Sequence, residues 1–350
     1  MRFSALSAVA VAVAAVTLSL AAPAALAQKT QLLVYTALET DQLKAYQEGF
    51  NKVHPDIELK WVRDSTGVVI AKLLAEKANP QADAIWGVAA SGLALFDQQG
   101  MLEPYAPLNL DAIMPAYRDK KNPPAWWGMD VYGATVCFNT VEAAKRGIPK
   151  PESWKDLLKP VYKGQIVMPN PASSGTGYFD VVAWLQLWGD DNSKGAGWKY
   201  MDGLHDNIAQ YTHSGSKPCN MAAAGEYAVG ISFEYRAHSN KAKGAPIDLV
   251  FPKEGLGWDL ESFAIHKGTK KLDAAKKLAD WASSKDAMLL YGKNFAITAQ
   301  PGVAPKLANI PADYESRLIK MNFDWSAAQR ERILDEWNKR YSAKSEPKKS

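Results

Sequence analysis

Short apolar runs alternate with amphipathic stretches along this chain, and that alternation leaves few folds open. Leu32-Leu33-Val34-Tyr35 reads as a compact apolar strand. Thr40 to Val53 follows, with Leu43, Tyr46, Phe50 and Val53 at helical spacing and Thr40 as the expected N-cap. Residues 57–62 place Ile57, Leu59 and Trp61 on one face of a second strand. A helix from Asp64-Ser65-Thr66-Gly67 through Ala78, a strand from Ala82 to Val88 and a helix to about Gln99 continue the pattern. Strands and helices alternating at this spacing predict an α/β fold with a parallel sheet.

The segment 103–130 breaks the rhythm with Pro104, Pro107, Pro115, Pro123, Pro124, Trp126 and Trp127, and reads as irregular covering chain. Tyr132 to Phe138 is then a strand suited to crossing between two lobes. The alternation resumes: helix 153–159, strand 165–168, helices 178–188 and 196–204, strand 208–212, helix 218–225, strand 227–232, helix 234–243, strand 247–251. From Gly257 the chain is expected to return through Asp259 to Ile265. Helices 272–284, 285–293 and 326–341 follow, the last with Ser326 as N-cap. Lobe one is expected to comprise 28–130 plus 257–295. Lobe two is expected to take 131–256 plus 296–350, with the C-terminal helices. Several short crossings rather than one linker favour lobes that hinge around a cleft.

The N-terminus carries an export signal. Arg2 precedes an apolar run from Ala8 to Leu20, and Ala25-Leu26-Ala27 has the small-x-small cleavage pattern. Residues 1–27 are expected to be removed, leaving Gln28 at the start of a soluble protein in the periplasm of a Gram-negative cell. The remaining ~320 residues exceed one comfortable core, which again favours two lobes. The full chain has 41 Lys+Arg and 37 Asp+Glu, net +4, and loss of Arg2 leaves +3. That balance is too mild for a nucleic-acid binder. Cys137 and Cys219 are the only cysteines. In an oxidising compartment they either pair or remain buried thiols, and the residues alone leave both open.

In open α/β sheets the strand-to-helix turns face the ligand crevice. Six are of interest: 36–39, 64–67, 86–89, 172–177, 212–216 and 232–236. Asn170-Pro-Ala-Ser-Ser-Gly-Thr-Gly-Tyr178 lies between an apolar strand and an apolar helix. Its hydroxyls and glycines leave backbone N–H groups bare at a positive helix end, an anion cradle without cations. Ser65, Thr66 and Gly67 sit at another helix start, so Ser65 and Thr66 with Ser174, Gly175 and Thr176 would clamp a tetrahedral anion from both lobes. For Ser65-Thr66 ordinary N-capping is an equal alternative, whereas Ser173-Ser-Gly-Thr-Gly177 holds more hydroxyls than the one that capping needs. Thr212-His213-Ser214-Gly215-Ser216 is a third donor-rich turn, with Ser214 as a further hydrogen-bond donor. Ser214-x-x-Lys217 superficially matches a penicillin-binding nucleophile pattern, but its Ser-Asp-Asn and Lys-Thr-Gly partners are missing.

Glu39, Glu234, Asp259 and Glu261 fall at strand ends or turns, where each could meet a cationic group, and Tyr35 and Tyr235 are candidate cleft walls. The five histidines, at 54, 205, 213, 238 and 266, show no metal-ligand spacing, and no Walker loop, dinucleotide fingerprint or nucleophile elbow occurs. These features predict a receptor with no metal or cofactor, not an enzyme.

Several long stretches resemble the periplasmic 2-aminoethylphosphonate-binding proteins of ABC transporters, within the ferric-ion-binding-like group of type II solute receptors. They are Val34-Tyr-Thr-Ala-Leu-Glu39, Arg63-Asp-Ser-Thr-Gly67, Met168-Pro-Asn-Pro-Ala-Ser-Ser-Gly-Thr-Gly177, Tyr211-Thr-His-Ser-Gly-Ser-Lys-Pro-Cys219, Gly230-Ile-Ser-Phe-Glu-Tyr-Arg-Ala237 and Glu254-Gly-Leu-Gly-Trp-Asp259. The resemblance implies a two-lobed type II periplasmic binding protein fold with a ligand cleft between the lobes. It also implies 2-aminoethylphosphonate as ligand, an inner-membrane ABC permease as partner and a monomeric receptor. Ser65, Thr66, Ser174, Gly175, Thr176 and Ser214 would hold the phosphonate. Glu39 is the first choice for the ammonium, with Glu234 and Asp259 as alternates. The iron-binding relatives carry a tyrosine pair where this chain has Glu234-Tyr235, a histidine where Glu39 stands and a glutamate near Val88. Only Tyr235 survives of that set, which argues against ferric iron.

Overall fold

The structure, a computed structural model, describes residues 29–347. The expected signal peptide and its cleavage site lie outside the described residues. Strand β1 (Thr30–Thr36), helix α1 (Thr40–Val53), β2 (Ile57–Arg63), α2 (Thr66–Ala75), β3 (Ala84–Ala89) and α3 (Ala90–Gln98) open the chain. β1 pairs in parallel with both β2 and β3, as the alternation predicts. After β4 (Leu102–Glu103) comes β5 (Trp127–Asn139), buried along its whole length. The predicted covering segment therefore ends before Trp127, because the strand begins five residues ahead of the expected Tyr132.

β5 joins the two halves of the sheet. The further elements are α4 (Thr140–Arg146), β6 (Ile166–Pro169), α5 (Gly175–Trp188), α6 (Ala196–Asn207), β7 (Ile208–Thr212), α7 (Lys217–Ala223), β8 (Val229–Phe233), α8 (Glu234–Ala242), β9 (Ile247–Val250) and β10 (Trp258–His266). From Trp127 to Gly133 β5 pairs with β10, and from Ala134 to Phe138 it pairs with β8. The main strand order is β2-β1-β3-β10-β5-β8-β6-β7, with β6 parallel to β7 and β8. Both crossing strands run antiparallel to their neighbours, so each lobe is a parallel α/β unit closed by a strand borrowed from the connection.

Two hydrophobic cores flank this seam. One surrounds the fully buried Trp86, which meets Tyr46, Trp61, Phe263 and Trp281 with ring centroids 5.4–6.3 Å apart. The other gathers Trp154, Trp184, Trp198, Tyr200 and Trp337. Truncating a buried indole costs about 3–5 kcal/mol, so each core rests on a few such anchors. Cys137 on β5 and Cys219 in α7 form a disulfide with Cα atoms 5.3 Å apart, which resolves the alternative left open by the residues.

Three local expectations change. Residues 153–159 form only a short 3-10 turn, Lys155–Leu158, because Lys159 precedes Pro160 and is held extended. Beyond α9 (Leu272–Ala282), α10 (Lys285–Tyr291), β11 (Ile297–Thr298) and α11 (Tyr314–Arg317), the C-terminal helix divides into α12 (Phe323–Ala328) and α13 (Arg330–Tyr341). Ser326 lies inside α12; the cap is Asn322, whose side chain accepts from the Trp325 amide. α1 is capped by Glu39 rather than Thr40, in a reciprocal capping box with Gln42.

Candidate functional site

The start of α2 in one lobe faces the start of α5 in the other. The Gly67 amide donates to the Ser173 carbonyl across the gap at 2.8 Å, and His213 Nε2 lies 3.0 Å from Asp64 Oδ1 beside it. Glycine is what permits this approach: a Cβ on Gly67 would come within 2.1 Å of the Ala172 carbonyl oxygen, and one on Gly175 within 2.7 Å of Thr66 Oγ1. The lobes are therefore closed on each other around a cavity of about 40 Å³. Ser65, Thr66, Ser174, Gly175, Thr176 and Ser214 all line it.

Donors dominate this end. Ser65 is the N-cap of α2, yet its hydroxyl makes no capping hydrogen bond. Ser174 caps α5 by accepting from the Gly177 amide at 3.3 Å. The amides of Thr66, Gly175 and Thr176 open their helices and have no intrahelical acceptor. Hydroxyls and first-turn amides on two converging positive helix ends suit a tetrahedral oxyanion.

Carboxylates and guanidinium groups meet at the same cavity. Glu39 lines it, with its Oε2 3.3 Å from Arg236 Nη2 and 3.6 Å from Arg63 Nη2. Arg236 comes from α8 and also reaches Asp41, so it bridges the lobes. Glu261 lines the cavity too, and its Oε2 has no hydrogen-bond partner. It stands directly opposite Asp130 in the β10–β5 ladder, and neither Asp130 oxygen has a partner. Burial, with the charges of neighbouring carboxylates, pushes both acids well above the usual carboxylate range.

The remaining sequence candidates lie outside the cavity lining. Tyr35 turns its hydroxyl to Glu76 at 2.8 Å. Glu234 is buried and accepts from the Gly133 amide at 2.8 Å; burial raises its carboxyl to about 8. Tyr235 packs against Phe295 and carries the Arg236 guanidinium over its ring. Asp259 accepts from the Ser91 and Leu260 amides, and burial moves it up to about 6. Arg63, Tyr132, Gly215 and Phe233 line the cavity without having been singled out. Arg63 was visible as the residue just ahead of the Asp-Ser-Thr-Gly turn, and Phe233 as the end of a strand entering one. Tyr132 sits on the crossing strand, where sequence pattern carries no sign of which side chains reach the cleft. Among the described residues no group of three or more His, Cys, Asp or Glu is placed to hold a metal ion, and no helix is long and apolar enough to cross a membrane.

Comparison with known proteins places this geometry. The model of the bacterial extracellular solute-binding protein family matches residues 82–322. An uncharacterised protein of Haemophilus influenzae is 30% identical over 96% of this chain and 98% of its own. A probable ABC transporter periplasmic-binding protein of Sinorhizobium fredii, y4fP, is 27% identical over 80% of this chain and 77% of its own. A putative 2-aminoethylphosphonate-binding periplasmic protein of Salmonella paratyphi A is 25% identical over 66% of each. Among solved structures, the periplasmic binding protein AfuA of Actinobacillus pleuropneumoniae, with fructose-6-phosphate bound, superposes with a TM-score of 0.83 at 32% identity. That match covers 90% of this chain and 99% of AfuA. The fold is thus that of the type II periplasmic binding proteins. Members of the family are extracellular or periplasmic, bind small solutes without catalysing a reaction, and work with an inner-membrane ABC permease. With a two-lobed fold closed over a donor-lined cavity, the chain belongs to the bacterial extracellular solute-binding protein family.

Proposed function

We propose that this receptor captures 2-aminoethylphosphonate between its lobes in the periplasm and presents it, enclosed, to an ABC permease. One observation carries the reading: a single small cavity pairs an oxyanion cradle with a carboxylate, Glu261, that has an unpartnered oxygen. The phosphonate suits the donors of Ser65, Thr66, Ser174, Gly175, Thr176 and Ser214, and the ammonium suits the acidic wall. Size supports the same ligand. A cavity of about 40 Å³ has room for the centres of roughly three waters. A ligand of about seven heavy atoms asks for much less further opening than a hexose phosphate of about sixteen. At the ceiling of roughly −1.5 kcal/mol per atom, seven atoms give about −10 kcal/mol, which only near-complete enclosure approaches. The Salmonella relative's name points the same way.

A sugar phosphate is the second reading, favoured by the bound fructose-6-phosphate of AfuA at 32% identity. Its phosphate would use the same cradle and its hydroxyls the carboxylates. Thermal unfolding of ligand-stripped protein separates the two. A saturating ligand at about 100 times its Kd adds about 2.7 kcal/mol, a rise of several degrees. We expect that rise with 2-aminoethylphosphonate. A rise with fructose 6-phosphate and none with the aminophosphonate would replace the first reading by the second.

A further inference from the structure

We propose that Glu261, and not Glu39, is the carboxylate that receives the ligand's ammonium, and that Glu261 gives up a proton to solvent when it does so. The inference rests on the aminophosphonate reading and assigns the cationic half of its site. Glu39 already has two guanidinium groups, Arg236 at 3.3 Å and Arg63 at 3.6 Å, and serves the α1 capping box as well. A further cation there would meet their repulsion. Glu261 is in the opposite condition. It is 8% exposed, lines the cavity and has a carboxylate oxygen with no partner.

The charged groups set against Glu261 are mostly acids, and Arg63, which lines the same cavity, is paired with Glu39. Asp130 and Tyr132 face it from β5, Glu234 from the start of α8, and Glu39 from the turn before α1. Tyr46 of α1 and Tyr291 of α10 complete the surroundings. Like charges directly opposite on neighbouring strands oppose folding, so the Glu261–Asp130 pair holds protons in the empty receptor. An arriving ammonium on the cavity side favours the ionised form of Glu261. Its proton leaves to solvent, while Asp130, with no exposed surface, keeps its own. The same ligand without an amine has nothing with which to expel that proton.

Calorimetric titration of wild type, Glu261→Gln and Glu39→Gln with 2-aminoethylphosphonate and ethylphosphonate, in buffers of different ionisation enthalpy, tests the assignment. Wild type should release more protons with the aminophosphonate than with ethylphosphonate, by up to about one. Glu261→Gln should lose about 100-fold in affinity for the aminophosphonate and less than about fivefold for ethylphosphonate, with the extra proton gone. Glu39→Gln should weaken both ligands by a similar factor. Glutamine is neutral without having to take up a proton, so ligand-free Glu261→Gln should melt at or above the wild-type temperature, which excludes misfolding as the cause. Equal losses for both ligands in Glu261→Gln, or a selective loss in Glu39→Gln, would overturn the assignment and leave the receptor reading standing. Failure of wild type to bind the aminophosphonate at all would remove that reading and this assignment with it.

Discussion

Arg236 Nη2 lies 3.3 Å from Glu39 Oε2, joining the first turn of a lobe-two helix to the first cap of a lobe-one helix. Arg236 is 8% exposed and also reaches Asp41, so the pair forms only when the lobes are shut. We expect it to act as a latch between the lobes. Arg236→Gln should shift the free receptor toward open forms and weaken aminophosphonate and ethylphosphonate alike, by roughly tenfold. Small-angle scattering of the ligand-free variant should show a larger radius of gyration. An unchanged radius with unchanged affinities would dismiss the latch.

Gly67→Ala separates folding from closure. Alanine is favoured over glycine at this helical position, so the open protein should be as stable as wild type or slightly more so. Its Cβ would meet the Ala172 carbonyl at 2.1 Å across the cleft, and backbone cannot yield there. Ligand affinity should fall by about 100-fold or more with the melting temperature of the empty protein preserved. Unimpaired binding by calorimetry would mean that closure does not bring α2 this close to the Ala172 loop.

Glu234 sets a pH dependence of stability. Its carboxyl is raised from 4.5 to about 8 by burial, so the folded state holds a proton that the unfolded chain loses above the ordinary carboxylate range. The folded state binds more protons between those values, and stability falls as pH rises through that window. Asp259, raised to about 6, adds to the lower part with the same sign. Together the two groups should cost the empty receptor on the order of 6 kcal/mol from pH 4.5 to 8. Glu234→Gln keeps an acceptor for the Gly133 amide and should flatten the upper part of the curve. Chemical denaturation across pH reads this directly, and a slope unaltered by the substitution would contradict it.

The disulfide closes a loop with a sequence separation of 82 residues. On the chain-entropy account, Cys137→Ala with Cys219→Ala should cost about 4.5 kcal/mol of stability. Both cysteines sit in a small cluster with Ala222, Ala237 and Ile247, away from the cavity lining. Affinity at a temperature where the variant stays folded should therefore change little. A large loss of affinity by titration would tie β5 geometry at Cys137 to the cleft.

Alternation of apolar strands with amphipathic helices was enough to read parallel α/β halves: β1 pairs in parallel with β2 and β3, and β2 buries Ile57 and Leu59 on the face their spacing indicated. The donor-rich helix starts were legible for a local reason: Ser174-Gly175-Thr176 and Ser65-Thr66-Gly67 combine hydroxyls and glycine just where apolar helices begin. The acidic half was legible only in part: Glu39 and Glu261 stood out as turn and strand-end carboxylates that line the cavity, but their neighbours did not. Glu261 and Asp130 become opposite neighbours only through the β10–β5 pairing, a contact between residues far apart in sequence. Arg236 is likewise brought to Glu39 by closure of the lobes, which leaves no trace in local spacing. The C-terminal helices start earlier than expected because Asn322 is the cap, while Ser326 accepts from Gln186 on its hydroxyl and receives the Tyr178 hydroxyl on its carbonyl.

The most direct test of the account is calorimetric titration of ligand-stripped wild-type receptor with 2-aminoethylphosphonate, alongside ethylphosphonate, inorganic phosphate and fructose 6-phosphate. The account predicts micromolar or tighter binding of the aminophosphonate, with ethylphosphonate weaker by about 100-fold and the other two weaker still. Tighter binding of fructose 6-phosphate or phosphate than of the aminophosphonate would contradict it.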